Sequence, residues 1–279
     1  VDTVERVALI WLGSLAAGFL GSLTGLGGGV VIVPLLTLLF GIDIHYAIGA
    51  SLVSVIATSS GAASAYLKEG FSNMRIGMFL EIATTCGALG GAFLAGKIAT
   101  SLTAIIFGLV LLGSAYLSVR RRNTGLMREG PPDRLASFLR MDSSFPTPAG
   151  PQAYHVHGIP GGFVLMFVAG ILSGLLGIGS GALKVLAMDQ VMRIPFKVST
   201  TTSNFMIGVT AAASAGIYLN RGYIDPELSA PVMLGVLMGA LAGSRVLVQA
   251  KTKLLRVVFA LVIVALGLQM LFNGITGRI

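Results

Sequence analysis

The stretch TGLGGGVVIVPLL, residues 24–36, sets glycines at Gly25, Gly27, Gly28 and Gly29 directly before a run of branched apolar residues. Two kinds of protein use such a cluster. A glycine-rich turn cradles phosphate at the start of a helix, and a glycine break interrupts a helix inside a membrane. The first reading leads to a nucleotide-binding enzyme, the second to a transporter. The residues around 24–36 decide between them.

Of the 279 residues, 54% are hydrophobic and 11% charged. A soluble domain carries about 25% charged residues, so this chain lacks the charge to clothe a water-facing surface. Apolar stretches run at about 6–23, 28–41, 45–67, 76–96 and 101–119, and again at about 161–176, 180–192, 197–219, 229–249 and 254–273. Several reach the roughly 20 residues needed to cross about 30 Å of hydrocarbon. Asp2 and Glu5 flank the first stretch, and no small-residue cleavage site follows it, so it is expected to stay as a membrane segment. The composition predicts a multi-pass, all-α integral membrane protein.

The formal charge of +8 does not point to nucleic acid, because the positives sit in short loops at the ends of apolar segments, where they orient helices. Cys86 lies alone inside an apolar stretch and reads as a buried small hydrophobe. His45, His155 and His157 are too few and too scattered for a metal site, and no cofactor is expected.

The chain matches itself at one constant offset of 152 residues. GFLGSLTGLGGG at 18–29 falls on GILSGLLGIGSG at 170–181, carrying Gly18, Gly25, Gly27 and Gly29 onto Gly170, Gly177, Gly179 and Gly181. AYLKEGF at 65–71 falls on IYLNRGY at 217–223, and GALGG at 87–91 on GALAG at 239–243. A single offset joining separated motifs marks a duplication, with repeat one at 1–119, a linker at 120–157 and repeat two at 158–279. The linker holds six arginines against three acids, which predicts a cytoplasmic loop. Its DRLASFLR segment reads either as a short surface helix or as plain linker.

Matched loops carry opposite charge bias. GIDIHY has an acid and no Lys or Arg, whereas its partner MRIPFK has Arg193 and Lys197. Lys68 and Arg75 outweigh Glu69, while in the matched loop Asp225 and Glu227 oppose Arg221. Lys97 stands alone where the second copy has Lys251, Lys253 and Arg256. A bias that flips at each matched loop predicts inverted-topology repeats, both termini outside. Inversion needs an odd number of crossings per copy, and the three later segments supply three. The glycine-rich stretch must then enter and leave on one side, either as two crossings or as a re-entrant hairpin bent at the glycines. Its short arms favour two half-length helices meeting near the midplane. Each repeat becomes a Gly-broken helical hairpin plus three transmembrane helices.

This settles what the glycines are for. A dinucleotide fingerprint needs a strand before the glycines and an acid about 20 residues on. Asp43 is near that distance, but the intervening residues are one apolar segment and its match is Pro195. Neither copy ends in the GK[ST] of a phosphate-binding loop. A helix break instead points unpaired N–H groups and about half a positive charge at its surroundings. Two copies bring two such ends to one site. Close helix packing at Gly27–Gly29 and Gly179–Gly181 is the competing reading.

Polar residues inside the apolar stretches refine the site. Lys184 falls in the first turn after Gly181, where its match is Ile32. A cation beside a positive helix end calls for an anionic ligand, unless Lys184 snorkels or pairs with Asp189. STTTSN at 199–204 offers Thr202, Ser203 and Asn204 to the site, with Ser51 as the matched hydroxyl; helix–helix hydrogen bonding is the alternative. Glu81, whose match is Met233, reads as a proton relay or as an interfacial residue. The candidate binding set is therefore Gly27, Gly28, Gly29, Ser51, Gly179, Ser180, Gly181, Lys184, Thr202, Ser203 and Asn204, with Glu81 for proton coupling.

At these residues the chain resembles the sulfite exporter TauE/SafE family of bacterial membrane proteins. The resemblance rests on the two glycine-rich stretches and on HYAIGAS at 45–51 and FKVSTTTS at 196–203. Members carry something like KAVGTS there, so Lys197, Thr202 and Ser203 match, and His45 and Ala50 depart. The resemblance implies export of small sulfur-containing anions such as sulfite or sulfonates across the bacterial inner membrane, driven by an ion gradient. The coupling ion is expected to be H+, and a homodimer is left open. An anion channel built on the same hairpins is the alternative. Paired carboxylates, a nucleophile–base arrangement and an HExxH pattern are all missing from the sequence, so an enzyme is not expected.

Overall fold

A computed structural model describes residues 3–24, 28–68, 72–119, 133–147, 150–247 and 252–278. The first half contributes α1 (Thr3–Thr24), α2 (Gly29–Phe40), α3 (Ile44–Lys68), α4 (Met74–Ala95) and α5 (Thr100–Val119). A connecting segment holds α6 (Arg134–Phe138), β1 (Ser143–Thr147) and β2 (Gly150–Tyr154). The second half contributes α7 (Ile159–Leu176), α8 (Gly181–Leu186) with a π-helical turn (Ala187–Val191), α9 (Phe196–Asn220), α10 (Pro226–Leu247) and α11 (Thr252–Thr276).

The surface is apolar and the interior holds polar side chains, the reverse of a water-soluble domain. Leu39, Met78, Val164, Leu219, Leu261 and Phe272 are exposed, while Ser51, Ser54, Thr84, Ser173, Lys184 and Thr210 are buried. Lipid tails make that arrangement favourable, since polar groups must then find partners inside the bundle. Met74–Ala95, Ile159–Leu176 and Pro226–Gly243 are long and apolar enough to cross a membrane, and shorter apolar helices accompany them among the described residues. Cys86 is exposed on α4 rather than buried, in line with Ile82, Leu89 and Phe93 on its outer face.

Small residues set the helix pairing. A Cβ at Gly18 would overlap the carbonyl of Val236, and one at Gly170 the carbonyl of Thr84. Likewise Gly239 abuts the Leu15 carbonyl and Gly87 that of Phe167. Each pair becomes the other on shifting by the repeat offset, so α1 packs on α10 as α7 packs on α4. Along α4 and α7 the contacts advance together, Thr84 with Gly170 and Ala88 with Gly174, so these helices run parallel. The matched helices α5 and α11 run antiparallel, with Ser101 against Gly274 and Gly108 against Gly267. The matched α3 and α9 do the same, with Gly49 at Tyr223, just past the end of α9, and Ser59 at Gly208.

The hairpins differ from two half-length arms. α1 has 22 residues and α7 has 18, about 33 and 27 Å at 1.5 Å per residue. Only the second arms are short, 12 residues in α2 and 6 plus 5 in α8 and its π turn.

The described part of the connecting segment holds a short helix in DRLASFLR and a two-stranded antiparallel hairpin. Met141, Tyr154 and Val156 are buried against Ile76, Leu80, Met188, Met192 and Met206, which anchors the hairpin over the starts of α4 and α9. Asn73 caps α4 by accepting from the Ile76 N–H, and its amide donates to the Tyr154 hydroxyl at 2.7 Å. Burial pushes the Tyr154 phenol up, so it stays protonated. At the other end of α4, Arg221 donates to the carbonyls of Ala92 and Phe93, and His45 Nε2 lies 3.0 Å from that of Ala95. These carbonyls have no partner within the helix, so α3 and α9 close the end that α4 leaves open.

Candidate functional site

The second break is fully described. α7 ends at Leu176, and Gly177 (φ 66°), Gly179 (φ 69°) and Ser180 (φ 43°) all take left-handed backbone before α8 starts at Gly181. Glycine adopts that region freely; Ser180 does so at a cost of about 1–3 kcal/mol, a strain concentrated at functional turns. In the first half α1 ends at Thr24 and α2 begins at Gly29, with Gly28 as its N-cap. Gly27 lies outside the described residues.

The fold brings the two breaks together. A Cβ on Gly29 would stand 2.7 Å from Ser51 Oγ and 3.0 Å from the Gly177 carbonyl oxygen. Ser51 Oγ donates to that same carbonyl at 2.8 Å. The start of α2 therefore touches the end of α7, with a serine of α3 bonded between them. At α2 the N–H groups of Val31 and Ile32 bond to the Gly28 carbonyl, which leaves those of Gly29 and Val30 without an acceptor in their own helix. Val30, Ile178, Ser180 and Gly181 line a cavity with Val110, Ser114 and Leu183, with room for about one water. Ser180 Oγ is buried there without a hydrogen-bond partner.

The other expected residues divide. Ser203 reaches the Gly181 carbonyl at 3.4 Å, and Gly179 and Gly181 pack on Ile207 of the same helix. Thr202 faces away from the breaks, accepting from the Asn73 N–H at 3.0 Å beneath the hairpin. Asn204 is half-buried on α9. Lys184 neither snorkels nor takes Asp189 as its ion-pair partner. Its ammonium is wholly buried, donates to Thr210 Oγ1 at 2.5 Å and lies 4.0 Å from Glu81 Oε2. Glu81 is 7% exposed, and its Oε1 accepts from Thr210 at 2.6 Å and from Thr85 at 3.1 Å.

Thr210 and the Glu81–Lys184 pairing were missed from sequence. The available signal was charge itself: two opposite charges in apolar helices, each matched by an apolar residue in the other copy, are expected to find one another. No cluster of metal-ligating side chains occurs among the described residues.

A family model described as sulfite exporter TauE/SafE matches residues 10–270. The chain belongs to that family. Relatives extend the match over nearly the whole length. The chain is 29% identical to the probable membrane transporter protein YunE of Bacillus subtilis (strain 168), covering 96% of this chain and 98% of the relative. It is 27% identical to the probable membrane transporter protein YdhB of the same organism, over 86% and 88%. Probable membrane transporter protein MJ0441 of Methanocaldococcus jannaschii is 23% identical over 91% of both chains. No solved structure matches.

Proposed function

We propose that this TauE/SafE member is a secondary transporter exporting small sulfur-containing oxyanions across the inner membrane by alternating access. The observation that carries the reading is the meeting of the two helix breaks at Gly29, Gly177 and Ser51, next to the unpartnered Ser180 hydroxyl. A small oxyanion is held there by backbone N–H groups around Gly28, Gly29, Ser180 and Gly181, with Gly179 admitting close approach. Ser51 and Ser203 supply hydroxyls by turning from the Gly177 and Gly181 carbonyls to the anion, and Lys184 supplies charge. Membership of a family described as sulfite exporters supports the substrate class.

The two halves act as inverted repeats, with the connecting segment cytoplasmic and both termini outside. Support comes from the matched pairs α3/α9 and α5/α11, each in antiparallel contact, as inversion requires. The cavity at the breaks holds about a water, so an oxyanion enters only when one bundle rocks against the other. Glu81 carries the coupling proton.

Purified protein in proteoliposomes loaded with labelled sulfite tests this. Movement against the sulfite gradient when a proton gradient is imposed supports the carrier. Flux that only ever runs down the sulfite gradient indicates a channel, and no flux of any sulfur oxyanion refutes the reading.

A further inference from the structure

The Glu81–Thr210–Lys184 chain joins three helices, and two features separate it from ordinary packing. Oε1 of Glu81 is occupied by Thr210 and Thr85, whereas Oε2 is buried with no hydrogen-bond partner, facing Lys184 Nζ at 4.0 Å. The other half builds the matching positions from Met233, Thr58 and Ile32, without charge. The fold therefore holds such a position without an ion pair, and a buried pair generally stabilises less than apolar residues of similar volume.

A lysine neutralised by a carboxylate has no net charge to offer an anion. We propose that the transported anion and ionised Glu81 compete for Lys184, so that binding one anion is accompanied by uptake of one proton on Glu81 Oε2. This rests on the oxyanion reading above. The proton comes from water, and no other bond is made or broken. Lys184 exchanges its carboxylate partner for the anion, and for a monoanion the net charge of the buried site stays zero. Protonated Glu81 keeps Oε1 as acceptor for both threonines and gains a donor on the one oxygen that lacks a partner. Because the pair occurs in only one half, the stoichiometry is one proton per anion. The two move in the same direction, so export of a monoanion runs on the anion's own outward gradient and not on inward proton entry.

Among the described residues, the hydrogen bonds and ion pairs of Glu81 and Lys184 involve no other ionisable group. α7, which packs on α4, contains no acidic, basic, tyrosine or cysteine side chain. α9 presents Thr210 to Glu81, with Lys197 at its start and Tyr218 and Arg221 toward its far end. α4 itself carries Thr85, the outward Cys86, and Arg75 near its start, bonded to the Arg140 carbonyl. Tyr154 sits over that start, bonded to Asn73, and Asp189 lies half-buried on the π turn beyond Lys184.

The test titrates purified protein with methanesulfonate, sulfate, thiosulfate and sulfite across about pH 5 to 8, methanesulfonate and sulfate keeping their charge throughout. While Glu81 is ionised in the free protein, affinity for the anion should rise about tenfold for each pH unit lowered. A dye in weak buffer should report about one proton taken up per anion bound. E81Q should bind with pH-independent affinity near the low-pH value of the unaltered protein. Binding with flat affinity and no proton uptake overturns the inference and leaves the oxyanion reading standing. Absence of binding by all four anions refutes that reading and the inference together. If E81Q does not fold, the proton count on the unaltered protein decides alone.

Discussion

Ser51 on α3 donates a 2.8 Å hydrogen bond to the carbonyl of Gly177, 126 residues along the chain, and so ties one helix break to the other. Ser51→Ala should leave that buried carbonyl short of a donor, at a cost of about 1–3 kcal/mol. Thermal unfolding of the purified variant should show a lower Tm, and proteoliposome flux should fall with it. Ser54→Ala is the control, because its hydroxyl serves Ala50 of its own helix at 2.9 Å. Equal behaviour of the two variants would remove the tie between the breaks from the mechanism.

Gly29→Ala tests how closely the breaks must approach. The added methyl would stand 2.7 Å from Ser51 Oγ and 3.0 Å from both the Gly177 oxygen and Val55 Cγ2. Overpacking of this kind costs about 1–3 kcal/mol. At Gly216 on α9 a methyl meets nothing within 4 Å, and Gly216→Ala should stabilise by about 0.5–1 kcal/mol through helix propensity. Opposite signs in paired melts are the expected result.

Lys184→Met should weaken anion binding about ten- to a hundredfold, the loss of one charge-assisted bond. It also leaves Glu81 buried without its cation, which destabilises by about 3–5 kcal/mol and would confuse the comparison. The pair Lys184→Ile with Glu81→Met copies Ile32 and Met233 of the other half. That double variant should melt at or above the unaltered protein and bind anion about ten- to a hundredfold more weakly. A double variant with unchanged affinity would show that the charge of Lys184 is dispensable.

Orientation is checked with a single cysteine. In a Cys86→Ser background, Ser144→Cys on the exposed face of β1 should resist an impermeant thiol reagent in intact cells and react in inside-out vesicles. Labelling in intact cells would reverse the assigned topology.

Much of this architecture was legible in the chain. Overall apolarity determined a bundle whose outer face is hydrophobic, since 11% charged residues cannot solvate a surface of this size. The repeated glycine motif determined where α7 stops at Leu176, because backbone geometry at Gly177 and Gly179 is a local property of residue type. What each side chain meets was not legible. Thr202 and Ser203 are neighbours on one helix, yet one accepts from Asn73 under the hairpin and the other approaches Gly181. Lys184 has a carboxylate five residues away and pairs with one on another helix. A helix that is apolar both toward lipid and toward its neighbours has no polar stripe to reveal its rotation. Only close packing at positions such as Gly87 and Gly239 sets that rotation, and with it the partner of every buried polar group.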